Sequence, residues 1–375
     1  MSEVVVPDGW EVKRLGVCCD VLDSQRVPLN SQERLSRKGV YPYYGANGVQ
    51  GYIDDFIFEG ESVLLAEDGG YFSEYATRPI ANFVTGRYWV NNHAHILRAK
   101  SDILNRWIYY SLVHKNILKH INGGTRAKLN QSDLKEILVP LPPLPEQQKI
   151  ASILTSVDEV IEKTQSQINK LQDLKKGTMN ELLTKGIGHT EFKDSPVGKI
   201  PKEWEVKKFG EIARVQGGYA FKSKDAQESG ARWLKIANVG IGKVVWKDKS
   251  HLPPEFLTEH RDFVLRTGDI IVALTRPILN HKLKIAMVDT PDSGALLNQR
   301  VGRILSKTDV GVRFLYYLLK SEYSVGFIEK VIFGSDPPNI SGQQIESINF
   351  AIPSIQEQQK NASILSSMDS HIEEK

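Results

Sequence analysis

Cysteine, long apolar runs and an excess of charge of one sign are all scarce in this sequence of 375 residues. The two cysteines, Cys18 and Cys19, are adjacent, and no second pair is present to complete a zinc site. We therefore predict reduced thiols and a cytoplasmic protein. No apolar run reaches about 18 residues, so no membrane span is predicted. The N-terminal sequence MSEVVVPDGW lacks the basic and apolar regions of a signal peptide.

The modest charge leaves several function classes open. A net charge of +3 does not by itself indicate nucleic-acid binding, although a protein that leaves most phosphate contacts to partners has such a composition. Hydrophobic content of 41% and charged content of 25% are typical of globular proteins. The length predicts about two or three compact units.

Motifs for nucleotide or cofactor binding are missing as well. No Gly-x-x-x-x-Gly-Lys-Ser/Thr loop is present, which argues against an NTP-driven motor on this chain, and no Gly-rich strand–turn–helix indicates a site for S-adenosylmethionine. The tetrapeptide DPPN at positions 336–339 is similar to the loop with which amino-methyltransferases stack an aromatic ring on a flipped base. Its fourth residue, Asn339, cannot stack in that way. A turn before a helix is therefore the favoured interpretation.

Three further motifs are better explained as structure than as chemistry. PDGWEVK (7–13) contains an Asp, a Glu and a Lys as in some nucleases, but its Asp is too close to its Glu and is lost in the matching PKEWEVK (201–207). His93 and His95 share one face of a predicted strand without a carboxylate at ligand spacing, which favours structural roles over a metal site. The proline-rich VPLPPLP (139–145) precedes a helix, and its counterpart AIPSIQ (351–356) keeps that helix, which argues against an SH3 ligand. We predict no metal and no catalytic residue on this chain.

Two segments of the sequence are repeated. EQQKIASILTSVDEVIEK (146–163) and EQQKNASILSSMDSHIEE (357–374) are identical at twelve of eighteen positions, and PDGWEVKRLG (7–16) matches PKEWEVKKFG (201–210). The stretches between these segments show little mutual similarity. A duplication of such a long period is not a solenoid. It predicts two copies of a variable domain followed by a helix, related by pseudo-two-fold symmetry.

The repeated helical segments have the apolar spacing of a coiled coil, with alternating intervals of three and four residues. The first helix, from 146 to 185, is roughly 60 Å long and needs a partner, which the second copy supplies. Gly186 and Gly188 end it. The residues predicted to form the coiled coil are Ile150, Leu154, Val157, Ile161, Ile168, Leu171, Ile364, Leu365, Met368 and Ile372.

Both variable domains are predicted to be α+β. Short β-type runs such as SVLLA (62–66) and GDIIVALT (268–275) are separated by Gly, Asn and Asp turns. One helix is predicted near the end of each domain, over 105–121 and 312–328, and each contains a Tyr-Tyr pair. The predicted boundaries are 1–140 for the first domain, 141–190 for the first spacer helix, 191–352 for the second domain and 353–375 for a second spacer helix that looks truncated.

Polar and basic loops of both domains are candidates for DNA contact. Arg suits guanine, Asn and Gln suit adenine, and Lys or Arg holds phosphates. The candidates of the first domain are Tyr43, Tyr44, Asn47, Gln50, Thr125, Arg126 and Lys128. The candidates of the second domain are Lys222, Ser223, Lys224, Arg276, Lys282, Asn298, Gln299 and Arg300.

Together these segments resemble the DNA-specificity subunits of type I restriction–modification systems. The resemblance spans the whole chain. It implies two target recognition domains, each reading one half of a split site in double-stranded DNA, and two spacer helices paired as an antiparallel coiled coil. The segments that carry it are LPPLPEQQKIASILTSVDEVIEK (141–163), LKKGTMNELLTKG (174–186), GKIPKEWEVKKFGEI (198–212) and the second EQQKNASILSSMD.

The resemblance also implies partners. Two modification subunits would dock on the helices, bind S-adenosylmethionine and methylate adenine, and motor-nuclease subunits would cleave unmodified DNA. This chain would then be non-catalytic and carry no cofactor of its own. Two alternatives stay open: a self-sufficient DNA adenine methyltransferase, and a truncated coiled-coil scaffold without DNA specificity. The second helical segment is much shorter than the first, so the symmetry of partner docking is open too.

Overall fold

The computed structural model describes residues 6–123, 127–247 and 249–375, which form two compact units. Unit 1 is Met1–Lys163 and unit 2 is Thr164–Lys375. Both units combine short strands with helices, so the mixed α and β content predicted from the sequence is confirmed. Among the described residues, no helix is both long enough and apolar enough to cross a membrane.

In its described residues, unit 1 is built from short strands and five helices, the last of which continues into unit 2. The strands are β1 (Glu11–Arg14), β2 (Cys19–Val21), β3 (Lys38–Gly45), β4 (Gly48–Ile53), β5 (Phe58–Glu59), β6 (Ser62–Ala66), β7 (Ala81–Val84), β8 (Arg87–Val90), β9 (Ala94–Ala99), β10 (Ile121–Asn122), β11 (Lys128–Leu129) and β12 (Leu138–Leu141). The helices are α1 (Leu15–Cys18), α2 (Ser31–Ser36), α3 (Asn105–Leu112), α4 (Gln131–Lys135) and α5 (Leu144–Thr184).

An antiparallel sheet with the strand order β2-β9-β6-β7 lies at the centre of unit 1. Every residue of β6 is buried, because this apolar strand is covered on both faces. Trp107, Ile108 and Leu112 of α3 belong to the core on one side of the sheet. A second sheet, β4-β3-β8-β5, contains the parallel pair β3 and β8. The antiparallel pair of β1 with β12 brings the start of the unit to the strand before α5.

Unit 2 repeats this plan. Its strands are β13 (Phe192–Ser195), β14 (Gly198–Pro201), β15 (Glu205–Lys208), β16 (Ala213–Gly217), β17 (Ala231–Leu234), β18 (His251–Leu252), β19 (Ile270–Ala273), β20 (Ile278–Leu279), β21 (Lys282–Leu283), β22 (Ile285–Met287), β23 (Leu296–Leu297), β24 (Val301–Ser306) and β25 (Asn349–Ile352). Its further helices are α6 (Phe209–Ile212), α7 (Phe256–Glu259), α8 (Val312–Lys320), α9 (Glu322–Ile332), α10 (Gly342–Glu346) and α11 (Ile355–Glu373).

The sheets of unit 2 follow those of unit 1 in order and direction. The antiparallel sheet β16-β24-β19-β22 corresponds to β2-β9-β6-β7, and the parallel pair β17 and β23 corresponds to β3 and β8. The antiparallel pair of β15 with β25 corresponds to β1 with β12. Two domains with little sequence similarity therefore share one topology.

The helices near the end of each domain are shorter than predicted. The helix predicted over 312–328 breaks at Ser321, whose hydroxyl accepts from the backbone N–H of Ser324 at 3.2 Å and caps α9. The helix predicted over 105–121 ends at Leu112, and the Asn116 side chain accepts from the N–H of Leu118 at 3.1 Å in a local turn. In both places a short polar side chain bonds the backbone locally and competes with the helix.

The first repeated contact joins the two repeated sequence segments. In unit 1, Trp10 Nε1 donates to Glu146 Oε2 at 3.1 Å, and in unit 2 Trp204 Nε1 donates to Glu357 Oε2 at 3.1 Å. The tryptophan comes from the opening segment, and the glutamate begins the helical segment. This pairing explains why both segments are repeated together.

Two further contacts recur. Gln147 donates to the carbonyl of Pro142 and Gln358 to that of Pro353, both at 2.9 Å, which ties each helix to the strand before it. Tyrosines of the Tyr-Tyr pairs also donate to the helices, Tyr110 to Asp158 at 2.7 Å and Tyr317 to Asp369 at 2.8 Å. The repeated Glu, Gln and Asp positions therefore attach each helical copy to the domain of its own unit.

Within unit 2, α11 packs against the carboxyl-terminal part of α5. Lys175 forms an ion pair with Asp369, and Asn361 Nδ2 donates to the carbonyl of Leu182 at 3.2 Å. Because the residue numbers rise along one helix and fall along the other, the two segments are antiparallel. Of the apolar residues predicted for a coiled coil, Leu365 is buried, and Ile168, Leu171, Ile364, Met368 and Ile372 are half-buried.

The amino-terminal part of α5 differs from the coiled-coil expectation. Ile150 packs against the core of unit 1 and not on a partner helix. Leu154, Val157 and Ile161 are 37%, 50% and 60% exposed. These three side chains form an exposed apolar face on α5 together with Ile153 and Val160, which are also exposed.

Candidate DNA interface

The β3–β4 hairpin of unit 1 contains four of the predicted DNA contacts, of which two do not face solvent freely. Tyr43 is 1% exposed and its hydroxyl lies 3.3 Å from the backbone nitrogen of Leu29, so its predicted role as a DNA contact does not fit its position in the core. Tyr44 is half-buried with its ring edge-on to Tyr88, and burial raises its pKa. Adjacent strand residues point to opposite faces, and Tyr43 and Tyr44 pack against two different apolar clusters.

The tip of the same hairpin is exposed and polar. Asn47 donates to the carbonyl of Gly69 at 3.0 Å, and Gln50 accepts from Asn91 at 3.3 Å. Both Asn47 and Gln50 are exposed, and their contact with DNA stays a prediction. Gly69 belongs to the loop after β6 and Asn91 to the turn after β8, so these bonds hold the hairpin next to both.

Lys128 lies at the end of a different loop of unit 1. Its ammonium group is 3.2 Å from Glu67 Oε1, and its backbone forms a bridge with Asp68. Leu129 donates its N–H to the carbonyl of Glu67 at 2.7 Å, which fixes this loop to the end of β6. Thr125 and Arg126, which were predicted to act with Lys128, lie outside the described residues.

A buried polar network lies beneath this loop. His95 is 1% exposed, with Nδ1 2.5 Å from Asp23 Oδ2 and Nε2 2.8 Å from the carbonyl of Leu129. These two contacts fix the orientation of the imidazole ring. Burial raises the pKa of Asp23, but the hydrogen bond and charge of His95, with help from Arg26, bring that pKa below its usual range.

The same network resembles a metal site in its donor atoms, since ligand atoms of Asp23, Glu67 and His95 lie within 4.8 Å of one another. Arg26 Nη1, however, bonds Glu67 Oε2 at 2.8 Å, and Lys128 contacts the other oxygen. The protein's own cations therefore occupy the carboxylates, which fits a structural network. The carboxylates near His95 come from segments distant in sequence, which residue spacing along the strand does not reveal.

In unit 2, Lys222, Ser223 and Lys224 are exposed on a short turn after β16. The N–H of Lys222 donates to Asp225 Oδ2 at 3.1 Å, which caps this turn. Backbone groups of the turn take part in this hydrogen bond, and the side chains of the two lysines are exposed to solvent.

The segment 275–284 forms the short hairpin of β20 and β21. Arg276 and Lys282 are exposed on it, and their contact with DNA stays a prediction. Arg276, Asn280 and His281 have φ angles of +47°, +49° and +55°. Left-handed backbone at residues other than glycine is uncommon and clusters at binding sites. The N–H of Arg276 donates to the carbonyl of Pro338 at 2.7 Å, which ties the hairpin to the DPPN loop.

Asn298, Gln299 and Arg300 form the turn between β23 and β24. Asn298 Oδ1 accepts from the N–H of Arg300 at 3.2 Å, and Gln299 and Arg300 are exposed. Arg300 Nη1 donates to Thr275 Oγ1 at 3.2 Å, and Thr275 donates to Asn339 Oδ1 at 2.5 Å. Arg276, Arg300 and the DPPN loop are thus brought together at one end of the central sheet.

Sequence reasoning did not identify a group of polar residues in unit 1 that matches the group around Arg300 in unit 2. His93 Nδ1 lies 2.7 Å from Asp68 Oδ1 at the end of the central sheet, next to Lys128. His93 was predicted to be structural because no carboxylate stands near it in sequence. The sequence signal that could have linked the two groups is the Asn-x-His turn at 91–93 and the Asn-x-Arg turn at 298–300. A single shared asparagine is too weak a pattern to identify the two turns as equivalent.

The family model matches both halves of the chain. The family model described as Type I restriction modification DNA specificity domain matches residues 7–173 and 201–375. The type I restriction enzyme MjaVIII specificity subunit of Methanocaldococcus jannaschii is 35% identical, over 100% of this chain and 89% of that protein. The type I restriction enzyme EcoAI specificity subunit of Escherichia coli is 33% identical over 47% of this chain and 29% of that protein.

A solved structure has the same fold. The crystal structure of the type I restriction–modification S subunit from M. genitalium gives a TM-score of 0.65 at 16% identity. The match covers 99% of this chain and 92% of that one.

Proposed function

Because the chain belongs to the family of type I restriction–modification DNA specificity subunits, we propose that unit 1 and unit 2 each read one half of a split site in double-stranded DNA. The chain is a specificity subunit and is not itself catalytic. The observation that carries this proposal is the double match of the DNA specificity domain, supported by the common sheet topology of the two units. The unlike loops of the two domains predict unlike half-sites.

Modification subunits are the proposed partners of the helices. The exposed apolar face of α5 supports this proposal, because solvent-exposed aliphatic side chains clustered on one helix face are typical of protein interfaces. The partners would bind S-adenosylmethionine and methylate adenine within the split site. Motor-nuclease subunits would cleave DNA that lacks the methyl groups.

The antiparallel coiled coil and the pseudo-two-fold symmetry are part of the same proposal. The antiparallel contact of Lys175 with Asp369 supports the pairing of the helices over one stretch. The recurrence of the Trp–Glu and Tyr–Asp contacts shows that the two units are built alike, which such a symmetry requires. A symmetric frame suits two half-site readers, because dimeric DNA-binding proteins present two such surfaces to half-sites about one helical turn apart.

Binding of the assembled complex to DNA tests the function. The chain is coexpressed with its modification subunits, and binding to a library of random duplexes is followed by sequencing of the bound fraction in moderate salt. We expect enrichment of one sequence that is interrupted by a spacer of fixed length. Enrichment of no sequence would contradict the proposal and favour a scaffold without specificity.

An assay of the purified chain alone tests the remaining alternative, a self-sufficient methyltransferase. A specificity subunit by itself transfers no methyl group, so incubation with S-adenosylmethionine and DNA leaves the DNA unmodified. Methylation by the isolated chain would instead favour a self-sufficient methyltransferase.

A further inference from the structure

One end of the central sheet carries the same backbone arrangement in both units. In unit 2, Leu274 donates its N–H to the carbonyl of Arg300 at 3.0 Å, and Ile340 donates to the carbonyl of Leu274 at 2.8 Å. Three segments meet there: the end of β19, the Asn-x-Arg turn and the DPPN loop. We call Thr275, Asn298, Arg300 and Asn339 the unit 2 junction.

Unit 1 has these hydrogen bonds at matching positions. Glu67 donates its N–H to the carbonyl of His93 at 2.8 Å, and Leu129 donates to the carbonyl of Glu67 at 2.7 Å. The bridge of Asp68 with Lys128 matches the bridge of Thr275 with Asn339. We call Asp68, Asn91, His93 and Lys128 the unit 1 junction.

The turns that contain His93 in unit 1 and Arg300 in unit 2 are also alike. Asn91 Oδ1 accepts from the N–H of His93 at 2.8 Å, as Asn298 Oδ1 accepts from the N–H of Arg300 at 3.2 Å. The side chains of His93 and Arg300 are therefore attached at equivalent backbone positions. The two side chains differ, while the frame that presents them is shared.

Arg300 is oriented by the buried hydroxyl of Thr275 and not by an ion pair. Thr275, which is 8% exposed, accepts from Arg300 Nη1 and donates to Asn339 Oδ1. Asn339 Nδ2 in turn donates to the carbonyl of Pro337 at 2.7 Å. Among the described residues Arg300 has no carboxylate partner within ion-pair distance. An exposed guanidinium held by one N–H keeps its other donors for a ligand such as the O6 and N7 pair of guanine.

His93 is oriented differently. Its Nδ1 lies 2.7 Å from the Asp68 carboxylate, which can only accept when ionised, so Nδ1 carries the proton. The ring is held with Nε2 as its second polar atom, and the side chain is 34% exposed. An imidazole offers one hydrogen bond where the guanidinium offers a fork, so the base preference at the two positions should differ.

We propose that the two junctions are equivalent base-contacting positions of the two recognition domains, with His93 and Arg300 touching DNA and Asp68 and Thr275 positioning them. This inference rests on the proposed function. It assigns one specificity-determining position to each half-site and explains how domains of one topology read different bases.

Arg300 variants in the assembled complex test the unit 2 junction. The bound sequences of the wild-type complex define both half-sites, and the same selection is repeated with Arg300→Ala and Arg300→Lys. We expect discrimination at one base pair of one half-site to fall roughly 10- to 100-fold, because both substitutions remove the guanidinium fork. Thr275→Val should weaken discrimination at the same base pair, since Arg300 loses its partner. The control is Arg266→Ala, an exposed arginine before β19 at the opposite end of that strand.

His93 variants test the unit 1 junction. His93→Ala and Asp68→Asn should both relax one base pair in the other half-site and leave the half-site affected by Arg300 unchanged. The control is Arg87→Ala, at the start of β8 and at the opposite end of that strand from Asn91.

Three results would overturn the inference. Unchanged motifs would show that neither side chain reads a base, and a uniform loss of affinity over all sequences would indicate phosphate contacts. Relaxation of both half-sites by one variant would indicate loss of structure. Copurification with the modification subunits checks folding of each variant. If the wild-type complex selects no split sequence, the proposed function itself fails, which is a separate result.

Discussion

At the residue scale, Glu357 joins three parts of unit 2. Its carboxylate accepts from the N–H of Ile187 at 2.9 Å and from Trp204 Nε1 at 3.1 Å, and it lies 3.0 Å from His189 Nε2. Its side chain is 13% exposed. Its counterpart in unit 1, Glu146, is exposed and accepts from Trp10.

This difference predicts unequal stability effects from the same substitution. Glu357→Ala leaves three donors of the protein unpaired and should lower the free energy of unfolding by about 3 kcal/mol. Glu146→Ala, the matched control, should lower it by less than about 1 kcal/mol because that contact is exposed. Chemical denaturation of the two variants measures the difference, and equal effects would contradict it.

The buried carboxyl of Asp23 predicts a dependence of stability on pH. Burial alone would raise its pKa in the folded chain, but the hydrogen bond and charge of His95, the N–H of Ile96 and the charge of Arg26 together outweigh burial and lower it. A lowered folded pKa contributes stability that is fully present above the unfolded value and is lost as the pH falls through the folded value. The stability difference between wild type and Asp23→Asn should therefore shrink on acidification below the ordinary value of 3.8. Denaturation at a series of pH values measures this, and a difference that stays constant would contradict it.

At the scale of elements, the repeated segments were predictable and the junctions were not. The Trp, Glu, Gln and Asp positions recur in the sequence because each makes the same contact in both units. Asp68 and Thr275, by contrast, share a position but no chemistry, so no sequence pattern links them. The burial of Tyr43 likewise depends on the sheet that covers it, which local sequence does not specify.

The exposed apolar face of α5 predicts a docking effect without a stability effect. Val157→Glu and Ile161→Glu alter exposed positions and should change the free energy of unfolding by less than about 0.5 kcal/mol. Copurification with the modification subunits should be lost, because each substitution places a charge in an apolar interface. The control Ser152→Glu adds the same charge on the opposite side of the helix and should copurify normally. Normal copurification of the Val157 and Ile161 variants would exclude this face as the docking site.

At the scale of the whole molecule, α5 joins the two recognition domains along the chain, so its length should set the DNA spacer. Insertion of seven residues, two helical turns, after Gln165 keeps the apolar repeat in register. We expect the selected sequence to keep the bases of both half-sites and to lengthen only in the spacer between them. Altered bases with an unchanged spacer would show that the helix does not measure the spacing.

The most direct measurement of the central claim is a methylome of cells that express this chain with its modification subunits. We predict adenine methylation within one split sequence, which disappears when this chain is left out. Methylation that persists without the chain, or that falls in an uninterrupted site, would contradict the account.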